Sequence, residues 1–366
     1  MILLVIFGLF FEQYGKRRKK HTNTPEIPME IIELLTFGME NGASDLHISA
    51  GMPPLIRVDG DMRRIDIPPL DHSTAQALIT ATMDDAQRRE YEKHFELDFS
   101  FQAKSARFRV NAFTQHRGAG AVFRVIPNEI PSLAELHAPA NLRDIAALPR
   151  GVVLVTGPTG SGKSTTLAAM IDHKNDTEHG HILTIEDPIE FLHQSKNSLI
   201  NQREVHRHTH SFHAALRSAL REDPDTILIG EMRDTETIGL ALTAAETGHL
   251  VFGTLHTGSA AKTIDRIIDV FPAAEKDMIR AMLSESLQAV IAQSLIKKTG
   301  GGRVAAYEIL IATPAVRNLI RENKIAQIYS AIQTGRQLGM RTLEQSIREL
   351  IASGIIPPRE TRTEGA

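Results

Sequence analysis

The chain has 366 residues, enough for two or three domains with a sizeable core, and its 42% hydrophobic and 23% charged residues are ordinary for a globular protein. With 41 basic against 44 acidic residues the formal charge is −3, which argues against general electrostatic capture of nucleic acid. The absence of cysteine excludes disulfide frameworks, thiol catalysis, iron–sulfur clusters and cysteine zinc sites, and without tryptophan no base- or sugar-stacking surface is expected.

The chain opens with MILLVIFGLFF, too short to span a bilayer, and its basic cluster (residues 16–20) follows the apolar run where a secretory signal would place it first. This reads as a loose extension or a start-site artefact, with Met29 as the alternative start. A shallow inner-face membrane anchor is the other reading. From Met29 to Asn41 the apolar residues Ile31, Ile32, Leu34, Leu35 and Met39 recur with a helical period. Short alternating runs at 44–50, 54–60, 96–101, 106–113 and 121–127 read as strands, separated by two polar helical stretches within 73–94. Residues 125–136 carry two prolines and read as a linker.

Beyond the linker the pattern changes. Apolar strands at 152–156, 181–186, 226–230 and 250–254 alternate with helices, the signature of a mostly parallel sheet buried on both faces. After Gly258 the chain is expected to be mainly helical, over 259–293, 313–333 and 340–353, ending in a loose tail.

Gly157, Pro158, Thr159, Gly160, Ser161, Gly162, Lys163 and Ser164 fit G-x-x-x-x-G-K-[ST], and Thr165 continues into the helix that follows. A strand before and a helix after supply the context this phosphate loop requires. Its glycines let N–H groups turn inward, the helix N-terminus adds its dipole, Lys163 faces the β- and γ-phosphates, and Ser164 is placed to ligate Mg²⁺. Turnover of ATP also needs carboxylates at the neighbouring strand ends. Glu186, Asp187 and Glu190 follow one strand, and Glu231 ends another; its length suggests a grip on Mg²⁺ through water. His249 and His256 flank the fourth strand, and a neutral histidine at a strand end can bond a γ-phosphate. The His206, His208, His210, His213 group has no metal-ligand spacing and reads as a solvated loop.

The phosphate loop, IEDPIEF, LIGEMRD and TGHLVFGTLHT, in that order, resemble the four boxes of the type II/type IV secretion ATPase superfamily. GASDLHISAGMPPLIRVDGDMRRI, RFRVNAFTQHRGAGAVFRVIP and AVRNLIRE (315–322) are similar to its type IV pilus retraction branch, and the likeness runs from about 29 to 350. The resemblance implies an α/β protein. An unmatched extension (1–28) would precede a PAS-like α+β domain (29–126), a linker (127–136) and a RecA-like ATPase domain with C-terminal helices and tail (137–366). It implies Glu190 as the residue that activates water, with Glu231, His249 and His256 in the site. Arg109 and Arg124 of the N-terminal module would act on phosphate, with Arg266 a weaker candidate. It further implies a cytoplasmic homohexamer at the inner face of the membrane, driven by ATP with Mg²⁺. Its partners would be a membrane platform protein and an accessory retraction ATPase, not nucleic acid. An accessory retraction paralogue and an assembly or type II secretion ATPase are the rival identities; the latter usually carry a four-cysteine zinc element. His208 stands where the family has an acid, and Val316 where it has Ile.

Overall fold

The computed structural model describes residues 30–103, 106–126 and 129–358. The expectations for residues 1–28 lie outside these, as does the end of the tail.

The N-terminal part builds one antiparallel sheet from β1 (Asp45–Ser49), β2 (Leu55–Val58), β3 (Asp61–Arg64), β4 (Glu96–Gln102), β5 (Arg107–Gln115) and β6 (Gly118–Ile126), in the spatial order β3-β2-β1-β6-β5-β4. Helices α1 (Ile31–Glu40), α2 (His72–Thr80) and α3 (Asp85–His94) accompany it. Helix α1 buries Ile31, Leu34, Leu35 and Gly38, one stripe at helical spacing, and Glu30 with Glu33 forms its capping box. Asp71 and Asp84 cap α2 and α3. Along β5, Phe108, Val110 and Ala112 enter the core with Phe123 of β6 and Leu34, Leu35 and Ile79 of the helices. The period of two therefore sends Arg107, Arg109 and Asn111 to the opposite face.

The second sheet comprises β7 (Gly151–Thr156), β8 (His181–Glu186), β9 (Leu199–Glu204), β10 (Thr226–Ile229), β11 (Leu250–Leu255), β12 (Leu287–Lys297) and β13 (Arg303–Ile311), ordered β13-β12-β7-β11-β10-β8-β9. All its pairings are parallel except β12 with β13. Helices α4 (Asn141–Ala146) and α5 (Lys163–Thr177) lie on one side. On the other lie α6 (Phe212–Ala219), α7 (Thr235–Glu246), α8 (Ala260–Asp269), α9 (Lys276–Ser286), α10 (Pro314–Arg321) and α11 (Ile328–Thr334). Alternation within β7 serves both: Val152 and Leu154 join one cluster, Val153 and Val155 the other. That double burial is why these strands read as continuous apolar runs. Helix α12 (Leu343–Ala352) packs on the β12–β13 hairpin through Ile347.

One expectation fails. The helical pattern foreseen across 259–293 stops at Ser286, and Leu287 begins a strand of 11 residues. Residues of good helix propensity, in the run LQAVIAQ, are claimed by the sheet because a slot between β7 and β13 buries them on both sides. The polar edge strands β3 and β9 give no apolar signal, and β13, nine residues and largely buried, lies in the region expected to be mainly helical; none of the three is foreseen from the sequence.

Candidate nucleotide and hydrolysis site

Parallel strands place all their C-terminal ends at one edge of the sheet, and every loop there faces the same space. The phosphate loop leaves β7 at this edge. Gly157, Gly160 and Gly162 take φ values of 146°, 76° and 86°, a conformation that side chains disfavour. Gly157 is also the close-approach position: a Cβ there would sit 2.3 Å from the Gln293 carbonyl oxygen of β12. Gly162 is the N-cap of α5 and offers no side-chain cap, so the first-turn N–H groups remain for an anion. Lys163, 8% exposed, donates from Nζ to the carbonyls of Gly157 and Pro158 at 2.9 and 3.1 Å and lies 3.5 Å from His256 Nδ1. Burial lowers its ammonium below the usual lysine range, against the opposing charges of Glu231 and Glu190.

Gln293 supports the loop from below, its Nε2 donating to the Ser161 carbonyl at 2.6 Å. Its Oε1 and the Ser161 hydroxyl are buried without a hydrogen-bond partner among the described residues. Nothing in the sequence singles out Gln293, because the stretch around it has the pattern of a helix.

Glu231 follows β10. Arg233 grips it with a fork, Nε to Oε1 and Nη2 to Oε2, both at 2.6 Å, and His256 Nε2 lies 3.1 Å from Oε1. Burial pushes this carboxyl up, but the Arg233 bond and the charges of Arg233, His256 and Lys163 outweigh it and hold it below the ordinary range. Gly230, before it, leaves little room for a side chain: a Cβ there would crowd the Glu186 Cα at 3.2 Å. The chemistry of the set suits Mg²⁺: hard oxygen donors, the Ser164 hydroxyl and the Glu231 carboxylate, lie at one sheet edge beside the phosphate loop. With both Glu231 oxygens engaged by Arg233, contact with that ion through water fits better than direct ligation.

Glu190 lies past β8, its N–H 3.4 Å from Glu186 Oε2. Glu186 is enclosed. Burial pushes its carboxyl up to about 7, although bonds from Thr184, Gln202 and the Glu190 N–H favour its charged form. The N-terminal sheet reaches this place: Arg109 Nη1 stands 3.7 Å from Glu190 Oε1. Arg124 faces Arg109 across β5 and β6, and its Nε donates to Asp45 at 2.8 Å, so it shares the face but has its own carboxylate.

The structure does not bring His249 into the cluster. It precedes β11, whereas His256 follows it, so the two sit at opposite sheet edges, roughly 20 Å apart along a six-residue strand. His249 instead accompanies the turn after α7, its Nδ1 2.8 Å from the Ala244 carbonyl oxygen and its own carbonyl bonded to the Gly151 N–H. Arg266 lies on the exposed face of α8, and none of the contacts described above involves it. His208 has a local task. Its Nδ1 accepts the Glu204 N–H at 3.0 Å, which assigns the ring hydrogen to Nε2. Among the described residues no group of three or more histidines and carboxylates is arranged to hold a metal, and no helix is long and apolar enough to cross a membrane.

Comparison with known proteins agrees with this architecture. The chain is 66% identical to the type IV pilus retraction ATPase PilT of Pseudomonas aeruginosa over 91% of its own length and 97% of the relative's. It is 65% identical to a twitching motility protein of Neisseria gonorrhoeae, covering 92% of this chain and 90% of that one. A crystal structure of a pilus retraction motor PilT with bound ADP superposes with a TM-score of 0.80 at 48% identity, over 90% of this chain and 95% of the other. The sequence profile described as Type II/IV secretion system protein matches residues 21–362, and on that match the chain belongs to this family.

Proposed function

We propose that this chain is an ATP-hydrolysing motor that powers type IV pilus retraction, and with it twitching motility. The observation that carries the reading is the convergence at one sheet edge of the phosphate loop, Glu190, Glu231, His256 and an arginine, Arg109, from the other sheet. The direction of work is supported by 66% identity across nearly the whole of a retraction ATPase.

In this reading the loop residues 157–165 cradle the phosphates and Lys163 exchanges its loop carbonyls for phosphate oxygens. Mg²⁺, when bound, neutralises phosphate charge. Glu190 takes the proton from the attacking water, His256 reports the γ-phosphate to Glu231, and Arg109 with Arg124 stabilises charge as it develops. In this reading a neighbouring copy in a homohexameric ring completes the assembly. A PAS-like domain (29–126), a linker (127–136) and a RecA-like domain (137–366) shift about that linker during turnover. The antiparallel sheet with its helices on one face supports the first assignment, and the doubly covered parallel sheet the last. The motor works in the cytoplasm, at the inner face of the membrane, on a pilus platform protein, with an accessory retraction ATPase as a further partner.

The test is a count of surface pili in cells whose only copy carries Lys163→Ala. Excess pili without twitching are expected; bald cells would reverse the direction of work. Glu190→Gln is expected to bind nucleotide and release no phosphate, and normal turnover would refute its role.

A further inference from the structure

Two residues that no motif singles out connect the N-terminal sheet to the loop that carries Glu190. Arg107 lies two positions before Arg109 on β5, on the same face. Its Nη2 donates to Glu204 Oε2 at 3.1 Å, and that same oxygen accepts the backbone N–H of Ile189 at 3.1 Å. Ile189 is the residue before Glu190. Glu204 ends β9, paired in register with Glu186 of β8, and is 3% exposed; the Arg107 side chain is 11% exposed. Arg207 stands 3.5 Å from the other Glu204 oxygen, and both arginines bond the Ser100 hydroxyl of β4, at 3.0 and 3.2 Å.

A carboxylate so enclosed persists only with its partners in place. One partner is the peptide that aims Glu190. A second, Arg107, arrives from a different sheet, and the third, Arg207, lies three residues on in the chain. Moving the N-terminal sheet therefore removes the closer and more buried of the two guanidinium charges on Glu204, the one on the oxygen that holds the Ile189 N–H, and leaves only the exposed Arg207 on the other oxygen, so the anchor of the 189–190 peptide is loosened. The ion pair does not touch the phosphate loop, so nucleotide affinity is not expected to follow it.

We infer that Arg107 and Glu204 are positioning residues that set Glu190 at its working angle only while the N-terminal sheet is seated, so hydrolysis is gated by the placement of the two sheets. This rests on Glu190 acting as the base. Glu204→Gln keeps the size and one acceptor but removes the charge; Arg107→Met removes the partner; Arg107→Lys keeps the charge without the fork. For each full-length variant, and for the Arg107→Met/Glu204→Gln double, phosphate release gives kcat and KM, fluorescent mant-ADP gives nucleotide affinity, and calorimetry gives Tm. The expected result is a loss in kcat of about tenfold or more, with KM and mant-ADP affinity within about threefold. The double variant should lose no more than the worse single, and Arg107→Lys should recover part. A Glu204→Gln enzyme with wild-type kcat, additive losses, or parallel falls in kcat and mant-ADP affinity overturns the gate. Should Glu204→Gln fail to fold, the Arg107→Met and Arg107→Lys pair carries the same comparison. Glu190→Gln, measured alongside, separates the two readings. If it is inactive while Glu204→Gln is normal, only the gate falls; if Glu190→Gln itself turns over, the role of Glu190 falls and the gate with it.

Discussion

Replacing Gly157 by alanine adds one methyl group at the most confined point of the phosphate loop. That methyl would stand 2.3 Å from the Gln293 carbonyl oxygen, 2.6 Å from the Ser161 hydroxyl and 3.3 Å from Ser161 Cβ. The serine can rotate; the carbonyl belongs to β12, which is hydrogen-bonded to β7 and β13 on either side. The backbone at φ 146° adds its own penalty for any side chain, on the order of 1–3 kcal/mol. Overpacking against a fixed backbone costs a similar ~1–3 kcal/mol. Together they reach ~2–6 kcal/mol, a large share of the ~5–15 kcal/mol that holds a typical domain. Urea unfolding followed by far-UV circular dichroism, at one fixed protein concentration because association shifts midpoints, should show a lower midpoint at unchanged slope. Mant-ADP binding should fall as well. Gly239→Ala is the internal control. It lies inside α7 with nothing within 4 Å of the new methyl, and should stabilise by ~0.5–1 kcal/mol. If Gly157→Ala unfolds at the wild-type midpoint and binds mant-ADP normally, the close approach of loop and strand is wrong.

Burial raises the Glu186 carboxyl to about 7 from 4.5 in the unfolded chain. Its contribution to stability is therefore whole below about pH 4.5 and is lost as the pH rises through 7. Glu186→Gln should gain up to ~3 kcal/mol on the wild type between pH 5 and pH 8, and parallel pH profiles of unfolding free energy would contradict this. His193 behaves in the opposite sense. Burial first, with Lys196 adding to it, lowers its pKa to about 4, so stability present above pH 6.5 is lost as the pH falls through 4. His193→Phe should flatten that acid limb, as urea midpoints between pH 4 and 7 would report. Arg317 donates to the carbonyls of Ser284 and Glu285 at the end of α9 and to Gln288 Oε1 at 3.2 Å, satisfying groups a helix terminus leaves open. Arg317→Ala should cost ~1–3 kcal/mol in urea unfolding, and a midpoint unchanged from wild type would show those bonds to be dispensable.

What could be read from the sequence follows from where each segment's side chains go. Strands β7, β8, β10 and β11 announce themselves because both faces are buried and little but apolar residues fit. The phosphate loop is legible because glycine positions and the lysine are fixed by covalent geometry rather than by distant contacts. Strand β12 is not legible: leucine, alanine and glutamine suit a helix, and only β7 and β13 on its flanks decide otherwise. Strand β9 is polar because it closes an edge, and Glu204 reveals its importance only when Arg107 meets it from 97 residues away. The histidines show a further limit. Two residues flanking one strand look equivalent in sequence, yet strand direction sends His256 to the phosphate loop and His249 to the far edge. Arg107 was within reach of sequence reasoning, since period two places it beside Arg109.

Strand β12 answers to two segments far apart in the chain. Gln293 in its middle holds the phosphate loop at Ser161, and Gln288 near its start is held by Arg317 of helix α10. A recombination point before residue 288 separates Gln293 from its loop; one after residue 293 separates Gln288 from Arg317; one between them separates both. No single crossover between the phosphate loop and α10 leaves both pairs with their native partners. In exchanges between diverged relatives, the stretch from Ser161 to Arg317 is thus inherited as one block, and the phosphate loop and helix α10 are expected to change together.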